Sequence, residues 1–274
     1  MKVTHLLPTL GLKTRSSRIG LIAISLCLAA ALPASAAAVR QNLFVATGTT
    51  GVPGVLYTIN AKTGAIITTV GPLVDASGNV YAMAGMKYNP FDGILYGITS
   101  GMSPTNPSYL ITINTATALV TPIGPNNAVL TDVAIDPRTG IMYGVSGFNQ
   151  KFYTVNLATG AATQAGSTGL GFQNGGGLAA NTRGLYGVDN FTTYSYNKTT
   201  GKATLVGLNL LPDLVRAADF DSKGVFYGLE GGGGTDNDHL RFLVTINLTT
   251  GLGLEVAAIP VDDLDGLAFV PVGH

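Results

Sequence analysis

Apolar residues in this chain come in short runs, cut at close intervals by Asn, Asp, Gly and Pro. Between residues 131 and 165 the runs are 131–135, 141–145, 152–156 and 161–165, rich in β-branched or aromatic residues and separated by turn formers. Runs of this length and composition read as strands joined by tight turns. No stretch beyond residues 19–32 carries a convincing 3.6-residue apolar period, so the pattern predicts an all-β protein.

The pattern repeats. Leu56-Tyr-Thr-Ile-Asn60-Ala-Lys-Thr-Gly64 recurs around Asn114, Asn156, Asn197 and Asn247, at spacings of 54, 42, 41 and 50 residues. A Tyr-Gly element keeps the same phase at Tyr96, Tyr143, Tyr186 and Tyr227. A third element precedes it: Met86-Lys-Tyr-Asn-Pro90, Val133-Ala-Ile-Asp-Pro137, Leu178-Ala-Ala-Asn181, Ala218-Asp-Phe-Asp221 and Leu267-Ala-Phe-Val-Pro271. Four short strands per unit, repeated every 41–54 residues, are the signature of a β-propeller blade. Five copies predict a five-bladed β-propeller with four-stranded blades. Leu43-Phe-Val-Ala46 matches the second strand of a unit and Leu267-Ala-Phe-Val270 the first. The last blade is therefore expected to close by pairing a C-terminal strand with N-terminal ones, which removes an open sheet edge.

Leu-Tyr-Thr-Ile-Asn-x-x-Thr-Gly preceded by Gly-x-Leu-Tyr-Gly resembles repeats of secreted bacterial β-propeller proteins, over essentially all of residues 41–273. Five blades of about this length are also distantly similar to the tachylectin-like propellers, a resemblance that implies sugar binding.

Composition and charge add the compartment. Lys2, Lys13, Arg15 and Arg18 precede the apolar run 19–32, which is followed by Pro33 and Ala34-Ser35-Ala36. That order reads as a cleavable signal peptide over residues 1–36, leaving a single domain over 37–274, secreted or periplasmic. The apolar run is shorter than the roughly 20 residues a span needs, so no membrane span is expected. Without residues 1–36 the chain keeps 11 basic against 15 acidic residues, a net charge of −4 that gives no electrostatic reason to bind nucleic acid. The single Cys, Cys27, falls within the signal, which excludes disulfides and thiol chemistry from the expected mature protein.

The repeated Asn residues read as turn formers and the repeated Tyr residues as packing between blades. The candidate ligand site is polar: Asp132, Arg216, Asp263 and Asp265, from three blades, fall on the segments leading into innermost strands, where a propeller mouth lies. The bland alternative is solvated rim charge, or an Arg–Asp pair that braces the ring. Asp236 and Asp238, in the glycine-rich insertion 231–239 near Glu230, are candidate Ca²⁺ ligands, although the loop lacks the twelve-residue form with a closing Glu. No cofactor is implied. Nucleophile elbow and phosphate loop are both missing, and only Glu230 and Glu255 remain as Glu beyond residue 36. The reading is a non-enzymatic, monomeric propeller binding an extracellular protein or a carbohydrate on its loop face. The alternative is a carboxylate-based hydrolase or lyase at the central mouth, with Asp132, Asp219 and Asp265 as its acids.

Overall fold

The chain was analysed as a computed structural model, which describes Met1 and residues 39–48, 51–171, 176–231 and 241–273. Twenty strands build five antiparallel sheets of four, within the compact unit Ala38–His274. The first three strands are β1 (Gln41–Thr47), β2 (Val55–Ile59) and β3 (Ile66–Pro72). The second blade holds β4 (Met83–Asn89), β5 (Ile94–Thr99), β6 (Tyr109–Ile113) and β7 (Val120–Pro125). The third holds β8 (Asp132–Ile135), β9 (Met142–Val145), β10 (Lys151–Val155) and β11 (Ala162–Ser167). The fourth holds β12 (Gly177–Ala180), β13 (Leu185–Val188), β14 (Thr192–Tyr196) and β15 (Ala203–Leu208). The fifth holds β16 (Val215–Phe220), β17 (Phe226–Glu230), β18 (Arg241–Ile246) and β19 (Gly253–Ile259), after which β20 (Leu264–Pro271) ends the series.

β20 returns to the first blade and pairs with β1 from Gln41 opposite Pro271 to Thr47 opposite Leu264, giving the order β20-β1-β2-β3. The ring is thus a five-bladed propeller closed by strands from both ends of the chain. The innermost strands β4, β8, β12, β16 and β20 neighbour one another around the axis. Among the described residues no helix is long and apolar enough to cross a membrane.

The repeated Asn closes the turn between the third and fourth strand of each blade. Asn156 Oδ1 accepts the backbone N–H of Ala158 at 2.8 Å and of Thr159 at 3.1 Å, and the Asn156 carbonyl accepts Gly160 N–H at 2.8 Å. Gly160 has φ +77°, and a Cβ there would lie 2.2 Å from the Gly124 carbonyl oxygen of the preceding blade. The glycine therefore supplies a left-handed turn and a close blade–blade approach at once. Asn60, Asn114, Asn197 and Asn247 likewise accept through Oδ1 the N–H two residues on, but the second copy places Ala118 at φ +60° where the others have Gly.

The repeated tyrosines pack between blades. Tyr186 meets Phe220 edge-on at 5.9 Å and Tyr227 packs against Phe269 at 5.1 Å, each in the next blade, while Tyr143 stacks on Phe152 of its own blade at 5.4 Å between ring centroids and shares a core cluster with Leu178 and Leu185 of the next. Burial is not uniform across a blade. The first three strands are mostly covered by neighbouring sheets, whereas the outermost, such as β3 and β11, are largely exposed. The blades splay with distance from the axis, so a strand apolar throughout, as the repeat suggests, holds only for the inner part of each sheet.

Candidate functional site

Aligned by repeat, the residue two places before each Met86-type position is Ala84, Thr131, Gly176, Arg216 and Asp265, one from each blade. Four of these five, all except Gly176, line a single cavity of about 510 Å³. Its walls come from two kinds of connection. Ser100, Gly101 and Met102 belong to the link between β5 and β6, and Phe148 to that between β9 and β10. Val129 and Leu130 lead from β7 into β8. The cavity thus opens on the mouth formed by the loops joining second to third strands and by those leading into innermost strands. Met102 is 61 % exposed and Phe148 56 %, so apolar surface stands open around this mouth.

Charge is concentrated on the side formed by β16 and β20. Arg216 Nε lies 3.9 Å from Asp265 Oδ1, with the Arg216 side chain 17 % exposed and that of Asp265 only 5 %. At that length the contact is one of charge rather than a hydrogen bond. Asp265 is buried against both Arg216 and Arg241. Burial pushes its carboxyl up to about 7, while the two guanidiniums pull it down. Arg241, also buried, reaches Asp262 at 4.0 Å, and its Nε and Nη1 have no hydrogen-bond partner among the described residues.

Asp132 occupies the next repeat position inward, where the other blades have Gly85, Gly177, Ala217 and Gly266. Its side chain is wholly buried and stands 3.3 Å from Lys87 Nζ. Its oxygens accept backbone N–H groups of Val133 (2.8 Å), Leu178 (2.8 Å) and Ala218 (3.3 Å). Lys87 Nζ also donates to the carbonyls of Met86 (2.9 Å) and Leu267 (3.3 Å). One ion pair therefore bonds to all five innermost strands: β4 through Lys87, β8 through Asp132, and β12, β16 and β20 through main-chain groups. A side chain at residue 85 has no room, since a Cβ there would fall 2.4 Å from Asp132 Oδ1. Burial pushes the Asp132 carboxyl up to about 7 against the pull of Lys87 and the backbone donors. Asp219 accepts Phe269 N–H at 2.8 Å, bonding β16 to β20; burial raises its carboxyl to about 6, against Lys87.

The sequence-derived candidates thus separate. Arg216 and Asp265 meet in the cavity wall; Asp132 lies one step inward, in the hub. Asp263, at φ +57° in the link from β19 to β20, accepts Gly48 N–H through its carbonyl and does not line the cavity. Asp236 and Asp238 lie outside the described residues, among which no group of three or more His, Cys, Asp or Glu is placed to hold a metal. Glu230, buried at the end of β17, accepts Asp213 N–H at 2.9 Å through Oε1. Sequence reasoning missed Lys87, Met102, Phe148 and Arg241. For Lys87 the signal was present, because its repeat position is Ala in three other blades, at Ala134, Ala179 and Ala268, and Asp219 in the remaining one.

A scan against protein-family models finds no match, and a search of curated proteins finds none. Solved structures do match. A chain of a nidogen/laminin complex is 12 % identical with a TM-score of 0.55, over 84 % of this chain and 98 % of that one. A protein of unknown function from Bacteroides thetaiotaomicron is 17 % identical with a TM-score of 0.49, over 84 % of this chain and 60 % of that one. Identity this low makes the first likeness one of fold alone.

Proposed function

We propose that this protein is an exported, non-catalytic propeller that binds an extracellular protein through the loop face around the mouth cavity. The observation that carries the reading is the cavity of about 510 Å³, within the size range of ligand sites, with Met102, Val129 and Phe148 exposed at its edge and Arg216 in its wall. Exposed apolar side chains around a concave mouth are the anchors a protein interface desolvates. The fold resemblance to a chain of the nidogen/laminin complex is compatible with this reading.

Catalysis by paired carboxylates is disfavoured. A general acid must reach the bond it cleaves, whereas Asp132 is sealed among five strands, bonded to Lys87 and three backbone N–H groups, and Asp219 is engaged by Phe269.

Immobilised peptide and glycan arrays, probed with the protein starting at Ala37 and with Met102→Asp/Phe148→Asp, test the reading. Peptide binding that the double variant loses, with an unchanged melting temperature, supports it. Binding confined to glycans, or undiminished in the variant, sinks it.

A further inference from the structure

We infer that a second cavity, between the third and fourth blades, is a site for one monovalent alkali cation, sodium or potassium, with Asp189 as its charged ligand. The cavity has a volume of about 20 Å³, room for one water-sized body. Oxygen-bearing side chains from both blades line it. Thr131 precedes β8, Ser146 follows β9 and Thr168 follows β11; Asp189 follows β13, and Tyr196 ends β14.

The two oxygens of Asp189, a residue only 6 % exposed, are met very differently. Oδ1 accepts the backbone N–H groups of Phe191 at 3.3 Å and Thr192 at 3.0 Å, and the Thr192 hydroxyl as well. Oδ2 is buried with no hydrogen-bond partner among the described residues, and so is Ser146 Oγ, in a residue 2 % exposed. The turn thus fixes the carboxylate through Oδ1 and leaves Oδ2 to the cavity. Burial raises the carboxyl against hydrogen bonds from Thr192 and the main chain, with no cationic side chain acting on it. Asp132, Asp136 and Asp265, also buried, face Lys87, Lys198 and Arg216. A buried carboxylate lacking such a counter-charge is costly.

The neighbouring hydroxyls point to a cation. Thr131 Oγ1 donates to the Val145 carbonyl at 3.2 Å. Thr168 Oγ1 donates to the Gln150 carbonyl at 3.2 Å and accepts Leu170 N–H at 3.3 Å. With their protons spent, both hydroxyls have only lone pairs left to offer, as Asp189 Oδ2 has. A water brings two protons to three such oxygens, whereas a cation meets all three and supplies the missing positive charge. The Tyr196 hydroxyl, its pKa pushed up by burial and by the Asp189 charge, adds a neutral oxygen. One carboxylate among neutral oxygens matches a single charge. Ca²⁺ takes about six to eight oxygens and Mg²⁺ keeps several waters, which a space of about 20 Å³ does not hold.

Calorimetry of the purified protein in sodium, potassium and choline chloride at one ionic strength tests the site. Asp189→Asn, which keeps an Oδ1 acceptor for the turn, is the matching variant. At a cation concentration ten times the dissociation constant, folding is favoured about elevenfold, which raises the melting temperature by about 3–6 °C over choline. Asp189→Asn is expected to melt alike in all three salts. Equal melting of the wild type in all three, or a cation effect that Asp189→Asn retains, overturns the site. Stabilisation by calcium chloride but by neither alkali salt overturns the monovalent assignment. A crystal structure of the wild type, grown in whichever alkali salt stabilises it more, keeps the test decisive if Asp189→Asn does not fold. An ion bound to Asp189 Oδ2 and the surrounding hydroxyl oxygens supports the proposal; a water only in that cavity overturns it.

Discussion

Replacing Lys87 by Met tests whether the axial hub holds the ring together. The substitution keeps a long unbranched side chain but removes the ammonium, leaving the wholly buried Asp132 with three backbone donors and no counter-charge. The Leu267 carbonyl loses the bond that ties β20 to β4. Removing one partner of a buried ion pair typically costs about 3–5 kcal/mol. The three N–H donors still stabilise the carboxylate, which places the expected loss near the lower figure. A domain of this size shifts by about 2–4 °C per kcal/mol, so calorimetry is expected to show a melting temperature lowered by about 6–12 °C. A pH arm sharpens the test. Without Lys87 the Asp132 carboxyl titrates higher still in the folded protein, so folding takes up a proton and stability falls as pH rises through that range. The deficit of Lys87→Met relative to wild type should therefore be smaller at pH 5 than at pH 8. A drop under about 2 °C, or a deficit independent of pH, would refute the hub as described.

Three further outcomes follow from the geometry. Burial raises Asp132 and Asp265 to about 7, Asp219 to about 6 and Glu230 to about 7, so each binds its proton more tightly folded than unfolded. Wild-type stability is expected to fall from pH 5 to pH 8, read by urea midpoints, and a stability that rises over that range would contradict the burial argument. Gly160→Ala, which drives a Cβ into the Gly124 carbonyl at 2.2 Å in a left-handed turn, should cost more than about 2 kcal/mol in urea unfolding. Ala118→Gly relieves φ +60° but gives up a buried methyl, and should stay within about 1 kcal/mol of wild type; equal costs for the two would show that the turns are not equivalent. Lys198→Met removes the 2.7 Å contact to the buried Asp136 and should lower the melting temperature by a few degrees at pH 7. Its effect should shrink as pH falls below the ordinary carboxylate range, because the folded Asp136 carboxyl, raised by burial but lowered more by Lys198 and backbone donors, is depressed and its contribution is lost on protonation.

What the sequence made legible divides along a physical line. Turn chemistry is local: Asn156 and Gly160 bond within a few residues, so the repeat exposes it, and with it the number of blades and strands. Closure was legible for a related reason, since β20 and β1 each carry the pattern of a strand whose partner is missing nearby. The site is not local. Lys87 and Asp132 are 45 residues apart and Leu267 is 180 residues from Lys87, so only the curvature of the ring brings them together. Polarity alone marked Asp132, Arg216 and Asp265 as candidates without separating the first, spent on structure, from the other two.

The separation follows from reading departures from the repeat instead of the repeat itself. At one register position four blades carry Gly or Ala and the third carries Asp132; at the next, three carry Ala and the others carry Lys87 and Asp219, of opposite charge. Small residues there let five strands crowd the axis, so burying a charge at either position is costly unless a counter-charge or backbone donors meet it across the ring. One position further out the ring widens, and Ala84, Thr131, Gly176, Arg216 and Asp265 show no common residue type. A scaffold position held constant by packing loses that constancy where packing ends and a cavity begins. In this ring, then, opposite charges replacing small axial residues mark a structural pin, and the register position with a different residue in every blade marks the wall of the mouth cavity.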